Sequence, residues 1–155
     1  MIGIEEKMEL KKQIENALKD AMKSGDETRK RTLRLIIASI KNAEIDKGSA
    51  LDDSGVLGII HKEVKIRKEA LEGAEQAHRE DLKEMTLAEV KILEEFLPKQ
   101  LDETELKKLI IEAIEETQAK SPADTGKVMK VVMQRVQGRA SGDQVSRFVR
   151  ELLSQ

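Results

Sequence analysis

Apolar residues recur along this chain at three- and four-residue intervals, and no stretch alternates as a strand would. Leu10, Ile14, Ala17, Leu18 and Ala21 share one helical face, and Ser24-Gly25 ends the run. Asp26 is placed to cap a second helix reaching about Lys47, with Leu33, Ile36, Ile37, Ile40 and Ile45 as its apolar positions. After the Gly48-Ser49 break a third helix is predicted from about Asp53 to Ala77, with Val56, Ile59, Ile60, Val64 and Leu71 turned inward. Thr86 and Glu89 have the spacing of a capping box, which predicts a fourth helix opening there and bearing Leu87, Val90, Leu93 and Leu97. Pro98 ends it, because the residue before a proline is pushed out of the helical region.

The segment LPKQLDETEL is the clearest boundary in the chain. Asp102 with Glu105 predicts the capped start of a fifth helix using Leu106, Leu109, Ile110, Ala113 and Ile114. KSPADTG reads as loop, followed by a sixth helix over about 125–137 and a seventh over about 142–153. In the sixth, Val128, Val131, Val132 and Val136 form one face while Lys127, Lys130 and Gln134 form another. In the seventh, Val145, Phe148, Val149, Leu152 and Leu153 form the apolar face, and Arg147 and Arg150 turn away from it. The expected fold is all-α: an N-terminal helical bundle subdomain, residues 1–97, followed by a small three-helix C-terminal subdomain, residues 98–155.

Composition narrows the function classes. The chain is 37% charged, 1% aromatic and free of cysteine, so it offers no disulfide frame and no thiolate nucleophile. No apolar run approaches the roughly 18 residues a membrane span needs. The N-terminal MIGIEEKMEL is acidic and lacks a signal-peptide layout, which points to a cytoplasmic protein with no membrane partner. His61 and His78 stand 17 residues apart, without metal-ligand spacing, and read as solvated helix histidines. There is no phosphate-binding glycine loop, dinucleotide fingerprint or nucleophile elbow. Carboxylates alternate with Lys and Arg at helical spacing, so pairs such as Glu15–Lys19 and Glu63–Arg67 read as exposed partners worth a few tenths of a kcal/mol. No catalytic residue, metal site or cofactor is expected.

Binding has more support. Between Lys120 and Arg150 lie seven basic residues against two acids, in a chain whose net charge is −2. Lys127, Lys130, Arg139, Arg147 and Arg150 are the candidate RNA contacts. A second cluster, Arg29, Lys30, Arg31 and Arg34, reads more simply as a solvated face. Both phenylalanines fall on apolar faces, leaving no platform for stacking unpaired bases. A basic, non-aromatic helical surface suits the phosphates of a folded RNA or duplex recognised by shape, in binding that weakens steeply with salt.

The turn QGRASGDQVS joins the last two helices. Gly138 is placed for a left-handed helix end, Ser141 with Gln144 for a capping box, and Gly142 for a close turn. Arg139 is the residue that turn and cap leave open, beside helix N–H groups where a phosphate oxygen could be clamped.

TLRLIIASIKNAEID (32–46), REDL (79–82), FLPKQL (96–101) and GKVMKVVMQRVQGRASG (126–142) together resemble the YqeY family, in order and over nearly the whole chain. That family is similar to the C-terminal tail domain of the B subunit of the glutamine-dependent tRNA amidotransferase. Related modules are appended to some glutaminyl-tRNA synthetases. The resemblance implies a two-part helical domain that contacts tRNA. The carbon–nitrogen ligase activity, with glutamine as amido donor, belongs to active sites of the larger complex outside this tail. Where the family motif more often reads Gly-Arg-Ala-Asp-Gly, Ser141 stands in the acidic place and keeps the ability to cap. The leading expectation is a tRNA-binding accessory domain. The alternative is a protein-interaction module that docks on an amidotransferase or aminoacyl-tRNA synthetase without touching RNA. DNA binding through ASGDQVSRFVREL as a recognition helix is not expected, because most of its apolar residues are needed for packing.

Overall fold

The computed structural model of the protein describes residues 9–155. Over that span it is all-α, with seven helices, one short 3-10 turn and no strand. The helices are α1 (Leu10–Ser24), α2 (Glu27–Lys47), α3 (Asp53–Gln76), α4 (Glu80–Glu94), α5 (Glu103–Thr117), α6 (Thr125–Val136) and α7 (Gly142–Leu153). The signal-peptide reading of the N-terminus concerns mainly residues 1–8, which lie outside the described residues. No described helix is long and apolar enough to cross a membrane. The chain divides into two compact units, the first ending at Phe96 and the second Leu97–Gln155.

In the first unit α1 packs on α2, α3 packs on α4, and α2 touches both α3 and α4. Ile14, Leu33, Ile36, Ile40, Ile60 and Leu93 are fully buried there. Gly25 and Gly48 close α1 and α2 at φ 75 and 79, the left-handed backbone that glycine adopts without a Cβ penalty. Asp26 and Asp52 cap α2 and α3 by accepting the Arg29 and Gly55 N–H groups. Glu44 ties α2 to α1 and to the loop before α3: it accepts from Lys11 of α1 at 2.8 Å and from the Leu51 N–H at 2.8 Å. The Lys11 hydrogen bond, with the Leu51 N–H behind it, holds the Glu44 carboxyl below its ordinary range.

Three expectations are corrected. The fourth helix begins at Glu80, six residues before Thr86, which sits mid-helix. Glu80 and Asp81 supply negative charge to its first turn, and Arg79 pairs with Asp81 at 3.1 Å. Glu89 is engaged elsewhere. It joins Arg67, at 2.7 Å, and Arg67 also bonds Glu63 at 2.7 Å. The Glu63–Arg67 pair is therefore not a simple exposed one, since Arg67 is only 9% exposed. Burial works against its charge, but the hydrogen bonds it donates to Glu63 and Glu89 outweigh that and raise its pKa. Ile45, expected inward, is 76% exposed, and Leu87 is exposed as well. Both are apolar residues on helix faces turned away from the core.

Candidate nucleic-acid interface

The second unit is a three-helix assembly in which α5, α6 and α7 each touch the other two. Asp102 and Glu105 form a complete capping box at α5: each side chain accepts the other residue's backbone N–H. Val128, Val132 and Val136 of α6 are fully buried, as are Val145 and Val149 of α7. Lys127 and Lys130 lie on the opposite, exposed side of α6, and Arg147 and Arg150 on the exposed side of α7.

The turn between α6 and α7 is clipped to the entry of α5. The Leu101 N–H donates to the Arg139 carbonyl at 2.8 Å, and the Gln100 amide to the Gly138 carbonyl at 3.0 Å. The segments FLPKQL and QGRASG, distant in sequence, thus meet through backbone carbonyls. Two consecutive residues, Gln137 and Gly138, take positive φ of 48 and 80. Gln137 was not anticipated in this role, and nothing in its chemistry announces it. Ser141 accepts the Gln144 N–H at 3.2 Å and so forms its half of the expected capping box.

Arg139 is given a task that sequence reasoning missed. Its Nε donates to the Val136 carbonyl and its Nη2 to the Arg135 carbonyl, each at 3.0 Å. These are carbonyls of the last turn of α6, where the helix ladder runs out, and that of Val136 accepts the Arg139 backbone N–H as well, at 2.9 Å. Turn and cap therefore use Arg139, contrary to expectation, and two of its five N–H groups are committed. The half-buried side chain folds back on α6. Gly142 is also less constrained than expected: a Cβ there would meet only the Met133 methyl, at an ordinary 3.9 Å.

The surrounding charges are unequal. Arg135 is bound by Glu116, whose hydrogen bond raises the guanidinium and lowers the carboxyl. Asp124 accepts the Lys120 N–H at 2.9 Å, and that bond leads the causes that lower its pKa, with the charges of Lys127 and Lys120 adding to it. Arg147 lies 4.9 Å from the centre of the Phe148 ring, with Lys107 on the same ring at 5.1 Å. Lys107 is a cation that sequence reasoning overlooked, because α5 presents it among acids. Glu103 pairs with it at 2.8 Å and raises its pKa, while Arg147 opposes the rise. Lys130 and Arg150 enter no ion pair among the described residues. In the first unit, Arg29, Lys30 and Arg31 pair with Glu95, Glu27 and Glu89, which gives most of that cluster a place in the packing of its own unit.

A family model described as "Yqey-like protein" matches residues 11–153. The chain is 31% identical over 140 residues to "Altered inheritance of mitochondria protein 41, mitochondrial" of Pyrenophora tritici-repentis, an alignment covering 88% of this chain and 76% of that protein. It is 37% identical over 84 residues to the protein of the same name from Kluyveromyces lactis, covering 54% of this chain and 45% of that one. The chain thus spans about half the length of the second relative and three quarters of the first.

Proposed function

This chain belongs to the YqeY family, and on that premise we propose that it is a tRNA-binding accessory domain without chemistry of its own. In this reading it is related to the tail of the tRNA-dependent amidotransferase B subunit, and it works in the cytoplasm. The observation that carries the proposal is the set of exposed cations on α6 and α7: Lys127, Lys130, Arg147 and Arg150, of which Lys130 and Arg150 have no ion-pair partner among the described residues. Paired charges have already exchanged water for a carboxylate, so unpaired ones gain most from a phosphate. Phe148 is buried and Phe96 half-buried, which favours a folded RNA read by backbone and shape over unpaired bases stacked on rings. Carbon–nitrogen ligase activity would belong to a larger complex, with this domain positioning the tRNA.

Arg139 is a poor choice for the test, because its loss would disturb the α6 end itself. The informative variant is Lys130→Glu/Arg150→Glu, which changes two exposed side chains. Wild type should bind bulk tRNA at low salt, with affinity falling as salt rises. The double variant should bind more weakly, with a log–log salt slope shallower by about one unit per lost phosphate contact. Absence of wild-type binding above background at low salt would overturn the reading. So would association with an amidotransferase or synthetase that survives nuclease treatment while tRNA binding is undetectable.

A further inference from the structure

Ile45 is the most exposed large hydrophobic residue in the described structure, at 76%, and Leu35 is 49% exposed on the same helix. They are not scattered. Leu35, Ala38, Asn42 and Ile45 follow one another at intervals of three, four and three residues along α2, and all four are exposed. This is the spacing of a helix-packing seam. It lies on the side of α2 opposite Leu33, Ile36 and Ile40, which fill the core. Arg34 and Lys41, each just before a seam position, are exposed along one edge of it. No acid occurs in the sequence between Glu27 and Glu44, so the flanking charge is of one sign over most of the seam. A shallow cavity of about 370 Å³ opens at its N-terminal end, lined by Glu27, Lys30, Arg31, Arg34 and Leu35.

We propose that this face of α2 docks an amphipathic helix of a second protein, apolar at its own seam and acidic where it meets Arg34 and Lys41. The apolar component selects a protein over a nucleic acid, because phosphates would leave Leu35 and Ile45 uncovered. The charge selects an acidic helix, since opposed potentials steer association and fix register. Asn42 at a seam position sets the register further, by requiring a polar group opposite it. A second copy of this chain is a poor occupant. Laid antiparallel, its α2 would set Arg34 against Lys41, and laid parallel it would offer only Asp46 as a counter-charge. The proposal does not rest on the tRNA reading, whose residues lie on α6 and α7.

The probe is a monomeric helical peptide of about three heptads, with Leu and Ile at its seam, one seam Asn and Glu on both flanks. Its counterpart carries Lys on the flanks. Binding to the full chain is followed by fluorescence anisotropy, for wild type and for Arg34→Glu/Lys41→Glu, with circular dichroism confirming that the fold is kept. The acidic peptide should bind wild type and lose roughly tenfold or more on the double variant, as interfacial charge pairs of this kind do. The Lys-flanked peptide should prefer the double variant. Ile45→Ser should weaken both pairings, and Lys130→Glu/Arg150→Glu should leave them unchanged. Equal binding of both peptides, or no binding of the acidic one, overturns the proposal. A dimer in sedimentation that Ile45→Ser dissociates also overturns it, by assigning the face to self-association.

Discussion

At Arg139 the guanidinium closes the last turn of α6 by donating to the Val136 and Arg135 carbonyls. Its loss removes both side-chain hydrogen bonds from this half-buried turn, although the Val136 carbonyl keeps the residue-139 backbone N–H at 2.9 Å. Arg139→Ala should therefore lower stability by about 1–2 kcal/mol in the absence of any RNA, read as a shift in urea midpoint at constant m-value. An unchanged midpoint would mean that the side chain is not a cap in solution. Arg67 makes a harsher case. It is almost enclosed and holds both Glu63 and Glu89. Arg67→Ala strips the shared counter-charge from two poorly exposed carboxylates, and a cost of about 3 kcal/mol is expected in the same measurement. Neither role was legible beforehand. The sequence places Arg67 four residues after Glu63, as it would for any surface pair, and only the approach of α4 with Glu89 encloses it.

At the scale of elements, two capping boxes had the same sequence signature and different outcomes. Asp102 and Glu105 form theirs at the start of α5, where Pro98 and the Gln100–Gly138 contact already hold the chain outside a helix. Thr86 and Glu89 do not, because α4 has begun a turn and a half earlier and Glu89 is drawn to Arg67. Asp102→Ala should thus cost about 1 kcal/mol, whereas Thr86→Ala, exchanging a mid-helix Thr for the best helix former, should change stability by no more than about 0.5 kcal/mol. Thermal unfolding of the two variants side by side checks this, and an equal loss in both would refute the assignment of the α4 start. Ser141→Ala belongs with Asp102 and should also cost about 1 kcal/mol.

For the whole molecule, the relevant facts are two separate cores and a dense set of ion pairs. Leu106 and Ile110 are completely buried in the second unit. Leu106→Ala should cost about 2–5 kcal/mol, a large share of what so small a unit possesses. Hydrogen exchange should show lost protection across α5, α6 and α7. The first unit has a pH dependence that can be signed. The folded Glu44 carboxyl lies below its ordinary value of about 4.3. Its contribution is therefore fully present above that value and is lost as pH falls through the lower folded one. Glu44→Gln should be less stable than wild type at pH 7, and the gap should close on acidification. A gap that persists undiminished as pH is taken far below that ordinary value would show that Glu44 acts by packing rather than charge.

The sequence by itself determined the all-α class, the bounds of α2, α3, α6 and α7 to within a residue or so, the end of α1, the start of α5, and the faces of α6 and α7. These follow from local chemistry: periodicity, Gly25 and Gly48 at helix ends, Asp26, Asp102 and Ser141 at helix starts. Tertiary structure decided whatever depended on a neighbour from another element. It buried Arg67, moved the start of α4, left Ile45 uncovered, and turned Arg139 back onto α6 while the PKQL segment took up the turn's carbonyls. A helix pattern records that a residue can face inward. Whether another helix arrives to cover it, or a distant charge arrives to pair with it, is settled only when the chain is packed.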